Sequence, residues 1–415
     1  MTDFFTSIDL GTSKVCAIIA GKDKNGQVQI IGMGKSDCNG IKKGVVVDIE
    51  STTKGVINAV EQAENMADVT VTEAYINIPG GYSRIVSNKG MIAVSGDDNE
   101  ISLEDIERVI TSATIISVPQ DQRIIDVIPN QYIVDGYDEI KDPTGMVGTR
   151  LEVEADIVTA SVTTTQNLIK SINKAGIDVV GIFMEPLATA NSVLTDDEKE
   201  LGVLLIDIGA GTSDISIFKK NRLIYSNILL VGGNHITNDL SIGLRIPFKQ
   251  SEEIKRRYGA VEYTEDNNDN VIEINPIGLN KEIKVSKYQL SEIIEARVGE
   301  VFELIDKELH KNKLKKQLLA GAVITGGGVS YLKGIEKLAG LRLGLPVRIG
   351  KPNELVANEP IYSTAVGIIN YVYKRKFKYY IEYSNTEAIK SNYRSKTKNN
   401  NKLTSLVKKV WKEYF

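Results

Sequence analysis

The sequence is poor in the side chains that build metal and redox centres: 415 residues hold two histidines, two cysteines and one tryptophan. His235 and His310 lie far apart with no ligand-type neighbours, so both read as structural. Cys16 and Cys38 have neither metal-binding nor redox spacing and fit the core of a protein kept in a reducing compartment. No run of 18 apolar residues occurs, which excludes a helix long enough to cross a bilayer. The N-terminus does not read as a signal peptide, because Asp3 stands where a basic region is needed and Asp9 and Lys14 interrupt the apolar run. No cluster resembles a general base beside an acceptor pocket, and no stretch reads as a nucleic-acid surface.

What remains is an ordinary globular composition, 42% hydrophobic and 25% charged, long enough for two to four domains. The net charge of −4 hides an asymmetry. Residues 374–415 hold 12 Lys/Arg against 3 Asp/Glu, so an acidic body carries a basic tail. Such a tail points to an acidic surface as its partner.

The chain is organised around Val203–Phe218, VLLIDIGAGTSDISIF. The apolar run Val203–Ile206 reads as a buried strand, Asp207 ends it, Gly209–Ser213 form a tight turn, and Asp214–Phe218 alternate as a returning strand. Glycines let backbone N–H groups approach phosphate oxygens, Thr212 and Ser213 add hydroxyls, and Asp207 is placed for a hydrated divalent cation. An ordinary Gly-rich hairpin would look similar, but Ser7–Val15, SIDLGTSKV, repeats the pattern with Asp9 198 residues before Asp207. Matching Thr12-Ser13 to Thr212-Ser213 leaves the first turn shorter. A repeat at half-length predicts two related lobes, each offering an acid-tipped hairpin to one cleft.

Around the repeat, strands are expected at Val15–Ala20, Val28–Gly34, Tyr75–Pro79 and Val179–Met184. Helices are expected at 49–66, with apolar residues at 56, 57, 60 and 63, and at Thr165–Ala175. Glu185-Pro186 opens a helix, so Glu185 either faces a cleft or complements the helix dipole. Residues 84–161 read as an inserted α+β module of short strands around the helix Leu103–Ser112, with 124–134 a strand pair or one bulged strand. Gly232-Gly233 turn into the helix Ile236–Leu244. Lys249–Tyr258 reads as a helix with Glu252 and Lys255 on one face, either solvated or meeting ribose and adenine. Asn267–Asn270 is a polar turn. A long helix runs from Lys287 to Leu309. The strand Ala322–Ile324 runs into Gly326-Gly327-Gly328, where a flat ligand can lie on backbone, followed by a helix over Leu332–Leu341.

Residues 384–401 read as a polar, basic linker. In residues 402–415 apolar side chains fall at Leu403, Leu406, Val407, Val410, Trp411, Tyr414 and Phe415, opposite Lys408, Lys409 and Lys412. A helix there spans about 21 Å, too short for a hydrocarbon core of about 30 Å. Its apolar stripe and lysine face fit a helix lying in a membrane interface, rather than one docked on its own domain.

SIDLGTSKV, LLIDIGAGTSDISIF, the inserted module with IPNQYIVDGYDEIKDPTGMVGTRLE and the tethered amphipathic end together resemble the actin, Hsp70 and hexokinase superfamily, and within it the FtsA family of bacterial cell-division actin homologues. The resemblance covers the whole chain. It implies an α/β, actin-like two-lobed ATPase fold with an inserted SHS2-type subdomain. Lobe 1 would take residues 1–83, 162–198 and 358–383, and the insert 84–161. Lobe 2 would take 199–235 and 305–357, with a further subdomain at 236–304. It implies ATP and Mg²⁺ as cofactors. Asp9 and Asp207 would hold Mg²⁺ through waters. Gly11, Thr12, Ser13 and Lys14 would meet the phosphates from one side, and Gly209, Ala210, Gly211, Thr212 and Ser213 from the other. Glu185, with Asp207, would serve hydrolysis by orienting the attacking water. Gly232, Gly233, Glu252, Lys255, Gly326, Gly327 and Gly328 would enclose ribose and adenine. The family forms filaments and anchors the tubulin-like FtsZ to the cytoplasmic face of the membrane at the septum, here through 236–304, and later division proteins would meet the insert. Nucleotide would act as a switch with slow hydrolysis at most. A pilus-assembly scaffold with the same plan is the alternative, and a small-molecule kinase of the superfamily a more distant one.

Overall fold

The structure is a computed structural model, which describes residues 4–23, 26–96, 98–262, 271–278 and 282–374. Two five-stranded sheets share one strand order. In the first, Asp178–Met184, Glu73–Ile78, Phe4–Leu10, Lys14–Lys22 and Val28–Asp37 lie side by side. In the second, the order is Val347–Ile349, Ala322–Thr325, Val203–Ile208, Ser213–Lys219 and Arg222–Leu229. In both, the central strand pairs antiparallel with the strand after it and parallel with a strand much later in the chain. The antiparallel pairs need only a tight turn, whereas the parallel ones need helical crossovers. Ile49–Ala67 and Val162–Lys174 serve the first sheet, and Lys287–Lys311 and Ile335–Leu343 the second.

Helices cover the sheets, so the central strands are buried on both faces, the polar Thr6 and Ser7 of Phe4–Leu10 included. Val203, Leu204, Leu205 and Ile206 are all buried. Ile49–Ala67 is capped by Asp48, whose carboxylate accepts from the Ser51 N–H at 3.1 Å, and it buries Val56, Ala59, Val60 and Ala63. Ile57 points outward, a correction to the expected stripe, which Ala59 joins instead. This helix lies directly on the strand Val28–Asp37. A Cβ at Gly34 would stand 1.9 Å from the Ala59 carbonyl, so no side chain fits there. Both cysteines are buried and unpaired, as expected.

Ser83–Ala93, Arg150–Ser161, Gln122–Val134 and Tyr137–Ile140 form a separate sheet with the helix Leu103–Ala113 on it. Ile106, Val109, Tyr132, Val153 and Ile157 belong to its own apolar core. Its main strands run 11 to 13 residues rather than the short segments expected. Gln122–Val134 is one strand. Glu154 pairs with Gln131 and Ala155 with Pro129, so Asn130 is bulged out beside the proline, which has no N–H for the ladder. This sheet also touches the second lobe, where Arg222 makes a two-pronged ion pair with Asp156 at 2.6 and 3.2 Å.

The helix Ser363–Lys374 returns to the first lobe and crosses Glu185–Val193. Thr364 and Thr189 hydroxyls meet at 3.0 Å, and a Cβ at Gly367 would lie 2.0 Å from the Ala188 carbonyl. The helix expected at Leu332–Leu341 starts at Ile335, because Gly334 sits at a φ of 84°. Among the described residues no helix is long and apolar enough to cross a membrane. The Asn267–Asn270 turn, the 384–401 linker and the amphipathic segment at 402–415 lie outside the described residues.

Candidate functional site

The two glycine turns have the same geometry. In the first hairpin Asp9 pairs with Cys16, and in the second Asp207 pairs with Asp214. The Gly11 N–H donates to the Lys14 carbonyl at 2.9 Å, and the Gly209 N–H to the Thr212 carbonyl at 2.9 Å. The turns are therefore equal in length, which corrects the shorter first turn read from the sequence. Lys14 corresponds to Thr212, and Val15 to Ser213. Ladder hydrogen bonds set the register, and the shared Thr-Ser pair is two steps out of it.

The hairpins face each other across the cleft between the lobes. A Cβ on Gly211 would meet the Thr12 methyl at 2.8 Å, so the turns nearly touch. Asp9, Gly11, Thr12, Ser13, Lys14, Glu185, Asp207, Gly209, Ala210, Thr212, Gly326 and Gly327 line the bottom of the cleft, together with Pro79, Ile361 and Thr364. The volume open to water there is about 60 Å³.

Four carboxylates converge on this point with one ammonium beside them. Lys14 lies 3.8 Å from Asp9 and also donates to the Ile361 carbonyl. Burial, then the charge of Asp9, pushes Asp207 up to about 7, against the pull of Lys14. Burial, then the charge of Asp207, pushes Asp214 up to about 8. Burial raises Asp9 as well, although Lys14 and Asn77 oppose it. Glu185 is held well above the usual carboxylate range: burial acts first, then repulsion from Asp214, Asp207 and Asp9. Glu185 opens its helix and lines the cleft, so of its two readings the structure realises both. Such a cluster favours either protons or a cation. Among the described residues no three acidic, His or Cys side chains converge as a direct metal shell. A Mg²⁺ site built through waters on one or two carboxylates does not require one.

The remaining predicted residues form a second layer. The Gly233 N–H donates to the Gly209 carbonyl at 2.9 Å, and Gly233 lies against Gly328, where a Cβ would come within 2.9 Å of the Gly328 Cα. The Ser213 hydroxyl is buried and donates to the Val231 carbonyl at 2.8 Å. Lys255 is 2% exposed, which overturns the solvated face. Its ammonium donates to the Gly233 carbonyl at 2.9 Å and the Thr237 hydroxyl at 2.8 Å and pairs with Glu252 at 2.7 Å. Three donors meet three acceptors. The pair thus supports the Gly232-Gly233 turn from beneath.

Two residues of the site were not singled out from the sequence. Asn77 is 1% exposed, and its amide reaches both Asp9 and Glu185. Asp214 faces Asp207 across the hairpin, and its Oδ1 is buried without a hydrogen-bond partner among the described residues. The available signal was a polar residue inside an apolar strand (Tyr75–Ile78) and an acid opening a strand directly after the glycine turn.

A family model described as "Cell division protein FtsA" matches residues 204–367, and one described as "SHS2 domain inserted in FTSA" matches residues 80–159. The cell division protein FtsA of Bacillus subtilis (strain 168) is 39% identical over 89% of this chain and 83% of its own length. That of Pseudomonas aeruginosa is 37% identical over 88% of each chain. That of Borreliella burgdorferi is 32% identical over 99% of each. Among solved structures, MreB5 of Spiroplasma citri bound to ADP superposes with a TM-score of 0.56 at 17% identity, covering 90% of this chain and 98% of that one. The PilM-PilN type IV pilus biogenesis complex gives 0.57 at 13% identity, covering 89% and 98%. These likenesses show the actin-like two-lobed fold with its SHS2 insert.

Proposed function

The chain belongs to the FtsA family of cell division proteins, and from that membership we propose that it binds Mg-ATP between its lobes, self-associates, and tethers FtsZ filaments to the cytoplasmic face of the membrane at the septum. The observation that carries the nucleotide reading is the matched pair of hairpins, which bring Asp9 and Asp207 to one cleft with the glycine turns on either side. The residues present fit the group. Backbone N–H groups of Gly11–Lys14 and Gly209–Thr212 would meet phosphate oxygens, and Lys14 would add a point charge. Asp9 and Asp207 would hold hydrated Mg²⁺, which neutralises phosphate charge when bound. Glu185 would orient a water toward the phosphates. Gly232, Gly233 and Gly326–Gly328 would back the ribose and adenine, with Lys255 and Glu252 fixing the turn behind them. Nucleotide would bridge the two lobes, and a change in their separation would be the means by which it reaches the assembly surfaces. Hydrolysis would be slow, with nucleotide acting as a switch.

FtsZ would be met through residues 236–304, and later division proteins through the insert. Membrane attachment rests on residues 403–415. Trp411, Phe415 and the Leu/Val stripe would enter the interface while each lysine near an anionic surface adds about 1 kcal/mol. One copy should bind reversibly, and assembly of many copies would supply avidity.

Co-sedimentation with anionic liposomes and FtsZ, with and without Mg-ATP, tests this reading. The full chain should carry FtsZ into the liposome pellet, and the chain without residues 403–415 should stay in the supernatant. Undiminished pelleting of the truncated chain would sink the membrane claim.

A further inference from the structure

We propose that Asn77 is the positioning residue of the cleft: its one amide group locks Asp9 and Glu185 at a fixed separation, so that the acid placed for the cation and the acid placed for water keep one geometry. The inference rests on the nucleotide reading of the cleft and assigns a residue within it.

Asn77 lies in Glu73–Ile78, the strand between the one ending near Asp9 and the one ending at Met184. Its neighbours Ile76 and Ile78 are fully buried. A β-branched apolar residue would satisfy a central strand there, and burying an amide is costly unless every polar atom is partnered. Each is. The side-chain oxygen accepts from the Leu10 N–H at 2.8 Å, and the nitrogen donates to Asp9 Oδ1 at 2.9 Å and to Glu185 Oε2 at 3.3 Å. The partners fix the amide's orientation, because an N–H needs the oxygen and two carboxylates need the NH₂.

The second lobe shows that the fold itself does not need this amide. Thr325 stands opposite Asp207, as the parallel register places Asn77 opposite Asp9. Its hydroxyl bonds Ser363 at 2.7 Å and leaves Asp207 alone. The same architecture therefore tolerates a strand residue with no carboxylate contact. What differs is the presence of Glu185 on the far side of Asn77, reached from the adjacent strand end. Leu10 directly precedes the Gly11 turn, so the same amide also fixes where the first phosphate hairpin begins.

The test uses the purified full chain. Thermal protection is measured at saturating ATP while Mg²⁺ is titrated, for wild type, Asn77→Ala and Asn77→Thr. Outer residues that orient metal-holding groups are worth about 10–100-fold in metal affinity, so Asn77→Ala should raise the Mg²⁺ midpoint at least about 10-fold. Asn77→Thr, a strand former with one hydroxyl donor for two acids, should fall between, and it decides the matter if the alanine variant does not fold. A lower melting temperature with an unchanged Mg²⁺ midpoint in a folded variant would make Asn77 merely structural and overturn the inference. Absence of any Mg-ATP protection in wild type would overturn the nucleotide reading, and the inference with it.

Discussion

Asp207→Ala should abolish the stabilisation that Mg-ATP gives against thermal unfolding. A ligand at 100 times its dissociation constant stabilises by about 2.7 kcal/mol, and a variant that cannot hold the cation forfeits that gain. The structure isolates Asp207 for this role. Asp9 is held by Asn77 and lies near Lys14. Among the described residues no side-chain donor bonds the Asp207 carboxylate. Gly326 packs behind it so closely that a Cβ there would stand 2.2 Å from Asp207 Oδ1. The carboxylate therefore faces the cleft with its oxygens available. Differential scanning fluorimetry with and without Mg-ATP reads the effect, and equal protection of variant and wild type would mean the cleft is misassigned.

Asp214→Asn should raise the melting temperature of the nucleotide-free protein at pH 8.5 and raise it far less at pH 5. Burial and the neighbouring Asp207 raise the folded-state value of Asp214 to about 8, whereas an unfolded aspartate titrates near 3.8. Between about pH 4 and 8 the folded form holds the extra proton. Stability then falls as pH rises through that window, and the loss is complete above the folded value. Asparagine has no proton to lose and keeps an oxygen for the Gly80 N–H that faces Asp214. Removing the penalty shifts the midpoint by about 1–2 °C per kcal/mol for a chain of this size. Melting curves across pH 5–8.5 check it; a shift of equal size at both ends would show that charge is not the cause.

The hairpins and the two-lobe plan were legible because a buried strand, an acid, a glycine turn and an alternating return are all local patterns. Glu185 was legible for the same reason, since Glu-Pro marks a strand-to-helix junction. The turn alignment failed because residue identity, Thr-Ser with Thr-Ser, competed with a register that only ladder hydrogen bonds define. Lys255 failed differently. In KQSEEIKRRY a buried lysine with an i,i+3 glutamate looks the same as a solvated one, and the acceptors that bury it, Gly233 and Thr237, come from another helix. Asn77 and Asp214 carry no periodic signal, since each is one polar residue whose partners arrive from other strands. The insert's strands were underestimated because Pro129 reads as a break until the bulge at Asn130 absorbs it.

The most direct test of the central claim is isothermal titration of the full chain with ATP in the presence and absence of Mg²⁺. Binding at one nucleotide per chain, tightened by Mg²⁺ and lost in Asp207→Ala, is the result predicted by two hairpins sharing one cleft. No measurable binding under either condition, or binding that Asp207→Ala leaves untouched, would contradict it.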